Sequence, residues 1–134
     1  MSRQMTIRFS GGKKIHADYD GFEIRTDQSV KSGGEASDPE PFDLFLASLG
    51  TCAGHYVNAF CDKRGIPVDG IRLTQSWSRD ERKKLVGIRI EIEVPAGFPE
   101  KYHSALVRAA GQCSVKRVME SPPAIDTVVK VNEY

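Results

Sequence analysis

The sequence predicts an α+β domain with antiparallel sheet packed on helices, in the order β-β-β-α-β-β-α-α-β. Three observations carry this. The first third of the chain alternates apolar and polar residues between glycine turns. One long apolar stretch, PFDLFLASLGTCAGHYVNAFC from Pro41 to Cys61, has helical length with stop signals behind it. A second alternating run, Val86 to Val94, continues without a break.

Met5, Ile7 and Phe9 mark the first strand, and SGG turns the chain. Ile15, Ala17 and Tyr19 mark the second, DYDG turns it again, and Phe22 and Ile24 open the third. The polar loop QSVKSGGEASDPEP cannot be core. It leads to the long helix, with Ser37 or Asp38 as cap and Pro39 and Pro41 suited to a helix start. Lys63, Arg64, Gly65 and Pro67 then read as a helix end. Ile71, Leu73 and Trp77 share one face of the next strand. SRDERKK is the hairpin tip before Val86, Ile88, Ile90, Ile92 and Val94. FPEKYHSALVRAAGQ and QCSVKRVMES read as two helices, the second stopped by Pro122 and Pro123. AIDTVVKV reads as a closing strand, with Ile125, Thr127, Val129 and Val131 on one face.

No repeat or linker divides the chain, so residues 1–134 are expected to form one domain. The net charge of +1, from 19 basic and 18 acidic residues, argues against a nucleic-acid or anionic-membrane partner, since both need a basic surplus. MSRQMTIRF has no apolar core of a signal peptide, and Asp43, Ser48, Thr51, His55 and Asn58 interrupt the long helix too often for a membrane span. Three cysteines, an odd number without an export signal, indicate working thiols in the cytoplasm rather than a disulfide framework.

The long helix also predicts a homodimer. Phe42, Leu44, Phe45, Leu46, Leu49, Tyr56, Val57 and Phe60 spread over nearly every direction, and one sheet covers only one side. A second copy is the simplest cover for the other, approaching over Ala47, Ser48, Gly50, Ala53 and Gly54.

Geometry separates the thiols. Cys52 and Cys61 lie on opposite helix faces, about 13.5 Å apart along the axis, and cannot bond within a straight helix. Cys61 reads as a small buried hydrophobe. Cys113 opens a short helix, with Lys116 and Arg117 one turn on, and local electrostatics nominates it as the low-pKa thiol.

DPEPFDLFLASLGTCAGH, followed some way on by QCSVKRVM, resembles the OsmC/Ohr family of thiol peroxidases. The shared pattern is a Pro-containing loop, an apolar helix with small residues before its Cys, and a second Cys opening a later short helix. The resemblance implies an intertwined homodimer, with sheets wrapped around long central helices. It implies an antioxidant stress-response enzyme that reduces organic hydroperoxides or hydrogen peroxide. Cys52 would attack the peroxide and Cys113 would resolve the resulting sulfenic acid, reversing the order that local electrostatics prefers. The implied partners are a hydroperoxide substrate and a dithiol reductant such as a lipoylated protein, with no metal, haem or flavin. Strongly active members pair an early Arg with a Glu over the thiolate. Here Phe42 stands ten before Cys52, the nearest acids are Glu40 and Asp43, and Lys13 and Lys14 follow the GG turn. These four are the supporting residues the resemblance leaves, although a lysine lacks the planar bidentate fork of arginine.

Three other readings compete. Cys52, His55 and Cys113 are ligand types for zinc, but no second short Cys/His pair accompanies them. A non-catalytic protein could hold a small hydrophobic ligand beside Cys52. A Cys–His hydrolase lacks an evident third orienting residue. His16 and His103 read as ordinary surface residues.

Overall fold

A computed structural model describes residues 3–132. The chain divides into two compact units, Met1–Ser48 and Leu49–Tyr134.

The first unit holds a three-stranded antiparallel sheet of β1 (Thr6–Phe9), β2 (Ile15–Tyr19) and β3 (Phe22–Thr26), in that order. The register sets Ile7 opposite Ala17, Phe9 opposite Ile15 and Tyr19 opposite Phe22. Strand alternation therefore gathers these apolar side chains on one face. Arg8, His16, Asp18, Glu23 and Arg25 take the other, where Arg8 bridges Asp18 and Glu23. His16 is buried there, 5% exposed, with Nδ1 3.1 Å from Ser10 Oγ and Nε2 without a partner. The expectation of a surface histidine fails: the ring stands opposite Arg8 and Arg25 on the adjacent strands and is buried all the same.

The loop after β3 is tied down by Asp27, which is wholly buried. Its carboxylate accepts from the backbone N–H groups of Gln28, Glu35 and Ser37 and from Ser37 Oγ. The Gln28 N–H, then the Ser37 hydroxyl, hold its pKa far below the ordinary carboxylate range. Gly34 is required here, because any side chain would run into the Gln28 carbonyl.

The loop delivers the chain to α1 (Pro41–Lys63). Pro41 occupies the first helical position, and Asp43 Oδ2 accepts from the Glu40 N–H at 2.9 Å. The cap is thus Glu40 and Asp43, not Ser37 or Asp38, which are engaged with the Asp27 loop and with Arg25. The far end closes as a Schellman motif: Ile66 N–H reaches the Cys61 carbonyl and Gly65, at φ 65°, reaches Asp62. Buried positions on α1 are Leu46, Leu49, Ala53, Val57, Phe60 and Cys61, one stripe at helical spacing. Asp43, Ala47, Thr51, His55, Asn58 and Asp62 face outward. The helix is therefore less uniformly apolar than its composition suggests.

In the second unit β4 (Arg72–Arg79) pairs antiparallel with β5 (Leu85–Glu93), with a bulge at Ser78/Arg79. A 3₁₀ turn at Glu100–Tyr102 leads into α2 (His103–Ala110), and α3 (Ser114–Glu120) follows. The core joins Val57, Phe60, Cys61, Phe98 and Leu106, flanked by Ile71, Leu73 and Ile92.

One predicted element is missing. No strand forms over 124–132, where Ile125 is 89%, Val129 91% and Val131 82% exposed. Alternation supplies a strand's faces but not its partner. Among the described residues of one chain, no edge pairs with this segment. The fold is α+β, as expected, with two antiparallel sheets and three α-helices among the described residues.

Candidate functional site

Cys52 stands on the flank of the α1 stripe, half-buried, between core-facing Leu49 and Ala53 and outward-facing Thr51 and His55. The chain returns to it after α2. Gly111 and Gln112 turn away from the helix and place Cys113 as the N-cap residue of α3. Cys113 Sγ accepts from the Lys116 N–H at 3.4 Å, and its thiol faces the Leu49 carbonyl on α1 at 4.0 Å. The next residue, Ser114, sets its Oγ 3.8 Å from Cys52 Sγ. The second unit thus brings the two cysteines to one place, both free thiols.

The two sulfurs are not equivalent. Cys113 is 2% exposed, and burial pushes its thiol pKa up, with its hydrogen bond to Cys52 adding to the rise. Cys52 is held below the ordinary thiol value, chiefly by the hydrogen bond from Cys113. Partial desolvation opposes this, and the Val115 N–H and the hydroxyl and N–H of Ser114 assist it. Of the two, Cys52 is therefore the thiol that ionises more readily. The expectation of a low pKa at Cys113 is overturned. Its N-cap position does supply N–H groups, from Lys116 and Val115, but burial first and the bond to Cys52 second outweigh them. Cys61 is elsewhere, wholly buried in the core, and desolvation pushes its thiol up despite Arg64.

A groove of about 590 Å³ opens on the Cys113 side. Leu49, Ala53, Ile88, Ile90 and Val107 contribute apolar walls, and Lys116 is its cation. Such a lining takes hydrocarbon more readily than a small polar molecule.

A sequence model described as OsmC-like protein matches residues 33–128, most of the chain and all three cysteines. The chain belongs to the OsmC-like family. Among curated proteins nothing matches. Solved structures share the fold. An osmotic-stress-induced and detoxification response protein of Psychrobacter arcticus superposes with a TM-score of 0.73 at 19% identity, over 87% of each chain. An OsmC-like protein of Mycoplasma pneumoniae gives 0.71 at 16% identity, over 91% of this chain and 89% of its own. An organic hydroperoxide resistance protein of Elizabethkingia anophelis, holding thiocyanate, gives 0.57 at 18% identity over 91% of each.

The four supporting residues of this OsmC-like chain lie in its first unit, and three have local partners. Lys14 Nζ bonds Glu35 at 2.7 Å, a contact that raises its pKa. Glu40 accepts from the Ser29 N–H at 3.1 Å, and Asp43 caps α1. Lys13 is exposed, its stem near Gly33. Among the described residues no group of three His, Cys, Asp or Glu side chains is gathered as a metal site, and His55 stacks edge-on against Tyr56. Among them, too, no helix is long and apolar enough to cross a membrane. Sequence reasoning missed Ser114. Its one signal was adjacency to Cys113 at a helix start.

Proposed function

We propose that this OsmC-like protein is a cysteine-based peroxidase that reduces organic hydroperoxides. The observation that carries the proposal is the meeting of two free thiols: Cys113 faces the Leu49 carbonyl, one turn before Cys52, and the adjoining Ser114 sets its Oγ 3.8 Å from Cys52 Sγ. The Cys52 thiolate attacks the distal oxygen of the hydroperoxide. The S–O bond forms, the O–O bond breaks, and the alkoxide leaves and takes a proton to become the alcohol. The sulfenic acid at Cys52 is then attacked by Cys113, giving a disulfide and water. A dithiol reductant, such as a lipoylated protein, returns two electrons by thiol–disulfide exchange. No metal or other cofactor takes part in this sequence. The apolar groove favours organic peroxides over hydrogen peroxide. The name of the Elizabethkingia anophelis relative agrees with this class.

The working form we propose is a cytoplasmic homodimer whose copies intertwine, each contributing one OsmC-like domain. Its support is the open apolar face of the first sheet, with Phe9 87%, Phe22 68% and Ile7 58% exposed, and the unpaired tail over 124–132. Sheet faces of this kind are seldom left to water.

The test is consumption of cumene hydroperoxide with a dithiol reductant. Cys52→Ser is expected to abolish it. Cys113→Ser is expected to consume roughly one equivalent and stall as a trappable sulfenic acid. An inert parent protein would overturn the reading.

A further inference from the structure

Cys52 has one neighbour that the peroxidase reading does not use. Ser114 Oγ stands 3.8 Å from Cys52 Sγ, on the residue that follows the second thiol. The hydroxyl is at the exposed rim of the site, whereas Cys113 lies beneath it, buried. A thiolate accepts hydrogen bonds and gives none, so in the charged state the serine must be the donor. We propose that Ser114 is a third catalytic residue, whose hydroxyl donates to the Cys52 thiolate and holds that sulfur for attack at the open side of the site.

The division of labour follows from position. Cys113 must release Cys52 from its hydrogen bond in order to attack the sulfenic sulfur. Ser114 keeps its proton throughout and can bond the sulfur before and after oxidation. It therefore steadies the nucleophile while its other donor changes role. The titratable groups within about a turn of Cys52 or Ser114 along the chain are His55 and Tyr56 on α1, Cys113 ahead of α3, and Lys116 and Arg117 on α3; farther along the same helices stand Asp43, Cys61, Asp62, Lys63 and Glu120. Of these Cys113 bears most on the sulfur's charge, and Ser114 acts in the same direction.

The proposal takes its catalytic meaning from the peroxidase reading, but its test does not depend on peroxide. Iodoacetamide alkylation of Cys52 is followed against pH in the full chain, with the Cys52 peptide quantified by mass spectrometry. For Ser114→Ala the midpoint is expected to rise by about half a pH unit, leaving about threefold less thiolate well below it. Ser114→Thr, which keeps the hydroxyl, is expected to match the parent. An unmoved midpoint in Ser114→Ala, or a Ser114→Thr variant that behaves like the alanine, would overturn the proposal. A merely structural serine would change yield or melting but not this midpoint. Failure of the parent to consume hydroperoxide, with the midpoint still moved, refutes the peroxidase reading and leaves the hydrogen bond standing.

Discussion

Replacing Cys113 by alanine removes the largest influence on the Cys52 thiol, and its sign discriminates between the two assignments of charge. If Cys113 is the donor and Cys52 the thiolate, deleting the donor must raise the pKa of Cys52. If Cys113 carried the charge instead, deleting it would remove a neighbouring anion and lower that pKa. A net hydrogen bond to a charged group contributes about 1.5–3 kcal/mol, and one pKa unit corresponds to about 1.4 kcal/mol. A sulfur donor at a half-buried acceptor belongs at the low end, so the midpoint should rise by about one pH unit. Well below the midpoint this leaves about tenfold less thiolate. Each remaining thiolate is about threefold more nucleophilic, because reactivity rises with basicity, so alkylation should slow about threefold. The assay is the pH profile of Cys52 alkylation in the parent, Cys113→Ala and Cys113→Ser. The serine variant, which keeps a donor, should fall between the other two. A lowered midpoint in Cys113→Ala would refute the reasoning and restore Cys113 as the charged thiol.

Two further outcomes are expected. Asp27→Asn should lower the melting temperature at neutral pH, since it breaks a buried carboxylate that accepts three N–H groups and a hydroxyl. The folded pKa of Asp27 is depressed, so its contribution is complete above the unfolded value of about 3.9 and fades as the pH falls through the folded value. Melting curves of both proteins should therefore converge in acid, and a gap unchanged down to acid would contradict the assignment. Sedimentation at micromolar concentration should give twice the mass of the chain, and Phe9→Glu should reduce it or the yield of folded protein. A well-folded monomer of the parent would sink the dimer.

The strands, helices and turns were legible because their signals are local. Period-two runs fixed β1 to β5, and Pro41 with Gly65 marked the ends of α1. The meeting of Cys52 and Cys113 was legible only by resemblance, since nothing between them encodes a distance. Three features stayed hidden for one reason: burial is decided by the whole fold. Cys113 sits where sequence predicts a stabilised thiolate, yet burial reverses its tendency. His16 lies in a polar strand position and is nonetheless covered. Ile125 to Val131 alternates as a strand should, but no edge among the described residues of one chain pairs with it. The cap at Glu40 and Asp43 was missed because the Asp27 loop had already claimed Ser37.

The most direct test of the thiol-pair mechanism is the disulfide formed on oxidation. The protein is treated with cumene hydroperoxide, quenched, and digested without reduction, and its cysteine peptides are mapped by mass spectrometry. The account predicts Cys52 joined to Cys113, with Cys61 recovered as a free thiol. A Cys52–Cys61 peptide, or three thiols left unchanged by the peroxide, would contradict it.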